Sequence, residues 1–126
     1  MTLNDARAVV EKGARFLDEN EPGWVDKINL DELDMGNCTC CILGQVGDRP
    51  VGNRYEDYFD LLTRYRQQHG EFSPAQFGFD LWPYEPTVDG PHVYGRSAKL
   101  YRILKSAWTE RIVYRRIGSL VPIGQR

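Results

Sequence analysis

The sequence predicts a mainly α-helical fold: one compact domain of three main helices and short helical turns, joined by long loops rich in aromatic residues and proline. Stretches 4–19, 54–68 and 97–117 each carry apolar residues at the 3.6-residue spacing of a helix face. No pair of segments offers two strands that could pair with each other. At 126 residues the chain can bury a core as a single domain, 1–126.

The first helix is predicted from about Asn4 to Glu19. Gly13 lies on its apolar side, where glycine costs about 1 kcal/mol relative to alanine, so we expect another backbone to cross closely there. Pro22 and Gly23 end the helix and redirect the chain. Trp24 follows at once and is expected to anchor the new direction in the core.

Two short segments follow the first helix. Residues 28–35 place apolar anchors between charged residues, which predicts a short helical turn with Asn29 or Asp31 as its N-cap. Residues 41–46 are apolar and suit either a buried helical turn or a short strand. We favour the helix, because a lone strand leaves its backbone groups unpaired.

The second main helix is predicted from Arg54 to Gln68 and is closed by His69 and Gly70. Ser73 and Pro74 then have the pattern of an N-cap and first turn, which predicts a short helix that breaks at residue 78. The face of the second helix is expected to consist of Tyr55, Tyr58, Phe59, Leu62 and Tyr65.

Residues 79–95 form a long segment rich in proline, glycine and aromatic side chains. Such a loop is either packed by its own aromatic residues or functional, and its hydrophobicity favours packing. If part of it is exposed, Trp82, Tyr84 and Tyr94 are the candidate anchors for a protein partner.

The last helix is predicted from about Ser97 to Ile117, with Trp108 on its apolar side and Gly118 as its stop. The tail 118–126 is expected to be at most partly ordered. The opposite, basic face could contact phosphates and is the candidate nucleic-acid surface; it consists of Lys99, Arg102, Lys105 and Arg116. Tyr101 or Tyr114 could add stacking there.

Charge is unevenly distributed along the chain. The net charge is -2, but residues 1–93 carry 8 basic and 17 acidic side chains, whereas residues 94–126 carry 8 basic side chains and only Glu110. Opposed charges of this size either satisfy each other within the fold or attract partners. The protein as a whole is acidic, with a pI of about 5.7, which argues against a dedicated nucleic-acid-binding protein.

The chain has no basic segment followed by an apolar run near its start, and no stretch approaches the roughly 20 apolar residues of a membrane span. We therefore expect an intracellular, cytoplasmic protein that does not contact a membrane. The three cysteines, two of them adjacent, agree with a reducing compartment.

Several motifs together carry a resemblance: residues 13–19, Pro22-Gly23-Trp24, the run 28–33, Cys38-x-x-Cys41 with residues 43–45, residues 77–80, and residues 104–116 around Trp108. In these motifs the sequence resembles a group of small proteins of unassigned function from mycobacteriophages, other actinobacterial phages and their hosts. The third cysteine, Cys40, departs from a simple two-cysteine pattern. The resemblance implies a phage or actinobacterial setting and transfers no catalytic or binding site.

The residues themselves offer three kinds of candidate site. Cys38, Cys40 and Cys41, with His92, are the candidate zinc ligands or reactive thiols, but half a zinc site is weak evidence and buried reduced cysteines are the favoured interpretation. His69, at a helix end, suits capping better than catalysis. The acidic residues between 18 and 34 lack the spacing of a calcium loop and are interpreted as a solvated face.

No catalytic set of residues emerges, so the leading hypothesis is a non-enzymatic phage accessory protein. It would use no cofactor and no metal, and would bind a host or phage protein. The alternatives are a small DNA- or RNA-binding regulator that uses the last helix, and a zinc- or thiol-dependent protein that uses the cysteines.

Overall fold

The computed structural model describes residues 2–37, 40–47, 54–81 and 93–120, and within the last two ranges the side chains of residues 58–81 and 98–118. These ranges contain α1 (Leu3–Asn20), α2 (Trp24–Lys27), α3 (Ile42–Val46), α4 (Arg54–His69), a 3₁₀ helix (Pro74–Phe77) and α5 (Val93–Leu120). No strand occurs in the described ranges, and the predicted mainly α-helical class is confirmed.

Helix α1 begins with a reciprocal cap. The Asp5 N–H donates to the Thr2 hydroxyl at 3.1 Å, and the Thr2 N–H donates to the Asp5 carboxylate at 2.8 Å. These hydrogen bonds with Thr2 lower the pKa of Asp5. The predicted amphipathic pattern is confirmed, since one side of α1 is buried: Ala6, Val9, Val10, Gly13, Ala14 and Leu17.

The backbone crossing predicted at Gly13 is present. A Cβ atom at this position would lie 1.9 Å from the carbonyl oxygen of Phe77 and 3.0 Å from the ring of Trp108. Trp108 in turn donates its indole N–H to the carbonyl oxygen of Gly78 at 2.7 Å. Glycine is therefore the residue that lets α1, the 3₁₀ helix and α5 meet at one point.

Trp24 is the anchor that the sequence predicted. Gly23 adopts a φ of 84°, which turns the chain, and Trp24 then lies 1 % exposed with its indole N–H donating to Asp18 at 2.9 Å. Its ring meets Trp108 edge to face, with 5.8 Å between the ring centroids. The two tryptophans join α2 to α5.

The helical turn that follows α1 lies earlier than predicted. It is α2, at Trp24–Lys27, whereas residues 28–35 form non-helical turns. The Asn29 side chain accepts the N–H of Asp31 at 3.0 Å in a local turn and caps no helix. Short polar side chains that bond to their own backbone compete with helix formation in this way. The helix favoured at 41–46 is confirmed as α3.

The core extends from these tryptophans through a cluster of phenylalanine rings. Phe16 lies within 5.2 Å, centroid to centroid, of the rings of Tyr65, Phe72 and Phe77, and Phe79 stacks on Trp108 at 5.8 Å. Helix α5 packs on α1 and α2, while α3 packs on α2 and α4. The aromatic cluster thus links the two ends of the chain to its middle.

Two details of the predicted helices are wrong. Phe59, predicted on the buried face of α4, is 44 % exposed, and among the described side chains that face is formed by Tyr58, Leu61, Leu62 and Tyr65. The side chain of Tyr55 lies outside the described residues. Helix α5 is longer than predicted at both ends and continues through Gly118. A single glycine disfavours helix by about 1 kcal/mol, which the packing of the preceding turns can outweigh.

Candidate interaction surface

The arginines near the C-terminal end of α5 are bound within the fold. One nitrogen of the Arg115 guanidinium donates to both carboxylate oxygens of Asp18, at 2.9 and 3.0 Å, and Arg111 forms an ion pair with Glu11. Asp18 also accepts the Trp24 indole, so one carboxylate holds α2 and α5 against α1. Part of the basic charge of the C-terminal third of the chain is therefore paired with acidic residues of α1 within the fold.

Arg116 is bound differently. Its guanidinium donates to the carbonyl oxygens of Val25 at 2.9 Å and Ile28 at 2.5 Å, and the side chain is half-buried. These carbonyls lie in and just after α2, where backbone acceptors have no partner within the helix. Arg116 thus stabilises the end of α2 and lies apart from the basic face to which the sequence assigned it.

The middle of α5 is tied to the start of α1 by an exposed ion pair. Arg7 donates to both carboxylate oxygens of Glu110, at 2.9 and 3.0 Å, and to the side chain of Asn4 at 3.1 Å. The hydrogen bonds from Arg7 lower the pKa of Glu110 and raise that of Arg7. The one carboxylate of α5 is therefore neutralised by α1.

The basic residues of the N-terminal half of α5 have different surroundings. Lys99 and Arg102 are exposed and Lys105 is partly exposed. Within the described part of the chain, no carboxylate lies within ion-pair distance of these three side chains. Arg102 donates only to the carbonyl oxygen of Ala98 in its own helix, at 3.2 Å. Three of the four predicted phosphate-contacting residues are therefore together on one half of the helix.

Helix α5 presents one continuous exposed stripe to solvent, which we term the outward face of α5. Its members recur every three or four residues and are all exposed: Lys99, Arg102, Ser106, Glu110, Val113 and Ile117. Tyr114 lies beside the last two. Basic residues occupy the N-terminal end of this face, Ser106 and Glu110 its middle, and apolar residues its C-terminal end.

The apolar end of the outward face was not identified from the sequence. Val113 is 40 % exposed, Ile117 is 56 % exposed and Tyr114 is 69 % exposed. The signal was available, because Val113 and Ile117 are four residues apart and fall off the stripe that contains Leu104, Trp108 and Ile112. Apolar residues on both sides of one helix indicate a second contact surface or a second buried face.

A shallow groove of about 390 Å³ lies next to this apolar end, between α1 and α5. It is lined by Arg7, Glu110, Arg111 and Tyr114. The guanidinium of Arg111 lies 5.9 Å from the centroid of the Tyr114 ring, within the range of a cation–π contact. Tyrosine and arginine, which supply three of these four lining residues, are enriched at protein interfaces.

Tyr101, the other tyrosine considered for stacking, is half-buried. Its hydroxyl donates to Asp80 at 3.0 Å, and the Tyr58 hydroxyl donates to the same carboxylate at 3.4 Å. A Cβ atom on Gly36 would lie 3.2 Å from the Tyr101 ring, so the ring packs on that backbone. Tyr101 therefore fixes α5 to its neighbours, and Tyr114 is the tyrosine that faces solvent.

The described cysteines have structural surroundings. Cys41 is 2 % exposed and its sulfur accepts the Gly44 N–H at 3.4 Å, which caps α3. The carbonyl of Cys40 accepts the buried side-chain amide of Gln45 at 2.8 Å. The Gln45 amide also accepts from and donates to the backbone of Asn29, at 2.6 and 3.3 Å. Gln45, which the sequence did not single out, ties this loop together.

His69 lies at the end of α4 as expected, and it also contacts α1. Its Nε2 lies 3.3 Å from the Asn20 side-chain oxygen, and its ring meets Phe16 edge to face. In the ranges that the structure describes, no three histidine, cysteine or acidic side chains are grouped as a metal site would require.

Several of the predicted site residues lie outside the described residues. These are Cys38, Trp82, Tyr84 and His92. Tyr94 belongs to α5 by its backbone, but its side chain is outside the described set. The predicted anchors in the segment 79–95 therefore stay predictions.

None of the helices in the described ranges combines the length and apolar composition needed to cross a lipid bilayer. Comparison of the chain with protein-family models, with curated proteins and with solved structures gives no match.

Proposed function

We propose that this chain is a non-enzymatic binding protein that recognises a host or phage protein in the cytoplasm of a bacterial host. The observation that carries the proposal is the apolar end of the outward face of α5. Val113, Tyr114 and Ile117 are exposed on a helix whose opposite side already forms the core. Clustered exposed apolar side chains are typical of surfaces that a partner covers.

The position of these residues supports the proposal. They lie on a long helix held by Trp108 and by ion pairs to α1, so that binding requires little ordering of the helix itself. Tyrosine is enriched at protein interfaces because it has a large apolar surface and a polar tip. The setting in phages or their hosts follows from the sequence resemblance and is part of the proposal.

The test is a comparison of four proteins used as bait in a bacterial lysate at low salt: the wild type, Val113→Ser/Ile117→Ser, Tyr114→Ala and Phe59→Ser. Phe59 is the matched control, since it is an exposed apolar residue on α4, outside the proposed surface. We expect one or more proteins to be retained by the wild type and by Phe59→Ser, and lost from the α5 variants. Retention of the same proteins by all four baits would contradict the proposal.

Nucleic-acid binding is the second candidate function, and one observation favours it. Lys99, Arg102 and Lys105 lack an ion-pair partner within the described residues, so they are available to phosphates. It predicts a mobility shift of short DNA or RNA that weakens steeply with salt and is abolished by Arg102→Glu/Lys105→Glu. No shift at low salt would exclude it. Arg116 is not part of this surface, because its guanidinium is bound to α2.

A further inference from the structure

We infer that the partner of this protein presents a segment with apolar anchors at one end and acidic side chains at the other, which lies lengthwise along the outward face of α5. This inference rests on the proposed protein-binding function and specifies the chemistry of the partner. Two separate properties of the outward face support it: its apolar end and its basic end.

The two ends are arranged along one line. Lys99 and Ile117 are 18 residues apart, which at 1.5 Å per residue is roughly 27 Å along the helix axis. The centres of the basic and apolar groups are separated by roughly 20 Å on the same basis. A helix of about five turns spans the whole length of the face, and an extended segment of about six to eight residues spans from one group to the other. A single peptide segment can therefore contact both ends.

The net charge of the face determines what can lie on it. Glu110 is the only carboxylate on the outward face, and Arg7 neutralises it with two hydrogen bonds. Lys99 and Arg102 are left as charges of the face that no carboxylate compensates among the residues that the structure describes, with Lys105 at its edge. The complementary ligand is therefore negative over the first turns of this face and apolar over the last.

A second copy of this chain fits the face poorly. If two copies aligned their α5 helices in parallel, Lys99 and Arg102 of one would oppose the same cations of the other. If the helices were antiparallel, those cations would lie over Val113 and Ile117 and lose hydration without gaining a counter-charge. Self-association through the whole face is therefore disfavoured in either orientation.

A nucleic acid would match the basic end only. Its phosphates would leave the apolar end uncovered, and the chain as a whole carries a net charge of -2. An acidic, amphipathic protein segment satisfies both ends of the face at once.

The experiment is a selection from a display library of random 24-residue peptides on the immobilised full-length chain, followed by sequencing and by affinity measurements with synthetic peptides. We expect the enriched peptides to carry Asp or Glu clusters separated by about three to four helical turns from Leu, Phe or Trp. Their affinity should fall about tenfold or more in Lys99→Glu/Arg102→Glu and in Val113→Ser/Ile117→Ser. The matched control is Lys12→Glu, which reverses the charge of an exposed lysine on α1. This substitution should change the affinity for the peptides by less than about twofold.

The outcomes separate this inference from the proposed function. Peptides that need Val113 and Ile117 but tolerate Lys99→Glu/Arg102→Glu would overturn the inference and leave the proposed function standing. Absence of any selected peptide that needs the apolar end would count against both. A concentration-dependent dimer that Val113→Ser/Ile117→Ser abolishes would identify a second copy as the occupant. A salt-sensitive oligonucleotide complex that Lys99→Glu/Arg102→Glu abolishes would identify a nucleic acid. Either result would overturn the inference.

Discussion

The two halves of α5 use the same kind of side chain for opposite purposes. In the C-terminal half, Arg115 bonds to Asp18 and Arg116 bonds to the carbonyls of Val25 and Ile28. In the N-terminal half, Arg102 is exposed, and within the described residues its side chain forms a hydrogen bond only to its own helix. A positive charge on this helix therefore stabilises the fold at one end and remains available to a partner at the other.

The difference is set by what each half of the helix meets. The C-terminal half passes beside the acidic positions of α1 and the end of α2, where partners for guanidinium groups are present. The apolar residues of that half are also divided: Ile112 is buried, whereas Val113 and Ile117 face solvent. The C-terminal half, whose arginines bond within the fold, thus offers apolar contacts to a partner. The N-terminal half, whose basic side chains are exposed, offers electrostatic contacts.

The largest predicted effect tests the core position that both halves share. Trp108→Ala should destabilise the protein by about 3 to 5 kcal/mol, because a fully buried indole with a 2.7 Å hydrogen bond is removed. Tyr114→Ala, the matched aromatic on the exposed side, should change stability by at most about 0.5 kcal/mol. Urea unfolding followed by circular dichroism measures both. Equal losses would show that α5 is not held by one face.

The next effect separates two glycines. Gly13→Ala should cost about 1 to 3 kcal/mol or more, because the new methyl group would lie 1.9 Å from the Phe77 carbonyl oxygen and the helices must move apart. Gly118→Ala, in the C-terminal half of α5, meets no atom within 4 Å and should stabilise by up to about 1 kcal/mol. If no backbone crosses at Gly13, both substitutions should raise the melting temperature, and the difference between the two variants should vanish.

The most direct test of the two halves is to replace one arginine in each half by alanine. Arg116→Ala should destabilise by about 1 to 3 kcal/mol, because it leaves two carbonyls at the end of α2 without this donor. Arg102→Ala should stay within about 0.5 kcal/mol of the wild type. Denaturant unfolding of both variants in one buffer gives the answer, and a loss for Arg102→Ala as large as that for Arg116→Ala would remove the distinction.

The smallest effect concerns pH at the boundary between the halves. Hydrogen bonds from Arg7 lower the pKa of Glu110 below its ordinary value of 4.5, so the folded state holds this proton less tightly than the unfolded state. Its contribution to stability is present above that ordinary value and is lost as the pH falls through the lowered pKa. The stability difference between wild type and Glu110→Gln should therefore shrink on acidification, in unfolding curves measured from pH 6 to pH 2.5. A difference that is constant with pH would contradict it.

Sequence patterns predicted those parts of the fold that depend on local periodicity. Helices α1 and α4, the turn at Pro22-Gly23 and the burial of Trp24 were each predicted from residues near one another in the chain. The crossing at Gly13 was predicted from a glycine on the apolar side of α1, although the backbone and ring that cross there belong to Phe77 and Trp108. The position of α2 was missed because its four residues carry no periodic signal, and Phe59 was misplaced because α4 has apolar side chains on more than one side.

The candidate surface was predicted only in part, for a different reason. A helical wheel grouped Arg116 with Lys99 and Arg102, since it shows which side chains share a face but not what each one meets. Bonds from Arg116 to two carbonyls about 90 residues earlier depend on tertiary structure alone. The same is true of Gln45, whose partners lie on the neighbouring loop. Val113 and Ile117 were visible as apolar residues, but their exposure depends on where α1 lies.

The pairing of α1 with α5 has a consequence for biosynthesis. Arg7 and Asp18 find their partners in α5, 103 and 97 residues later, so the packing of α1 against α5 cannot form until those residues have left the ribosome. At 5 to 20 residues per second the nascent chain waits roughly 5 to 20 s before its first helix can pack on α5. A stop codon placed before Trp108 should therefore give a product that is captured by chaperones or degraded, even though most of the sequence has been translated.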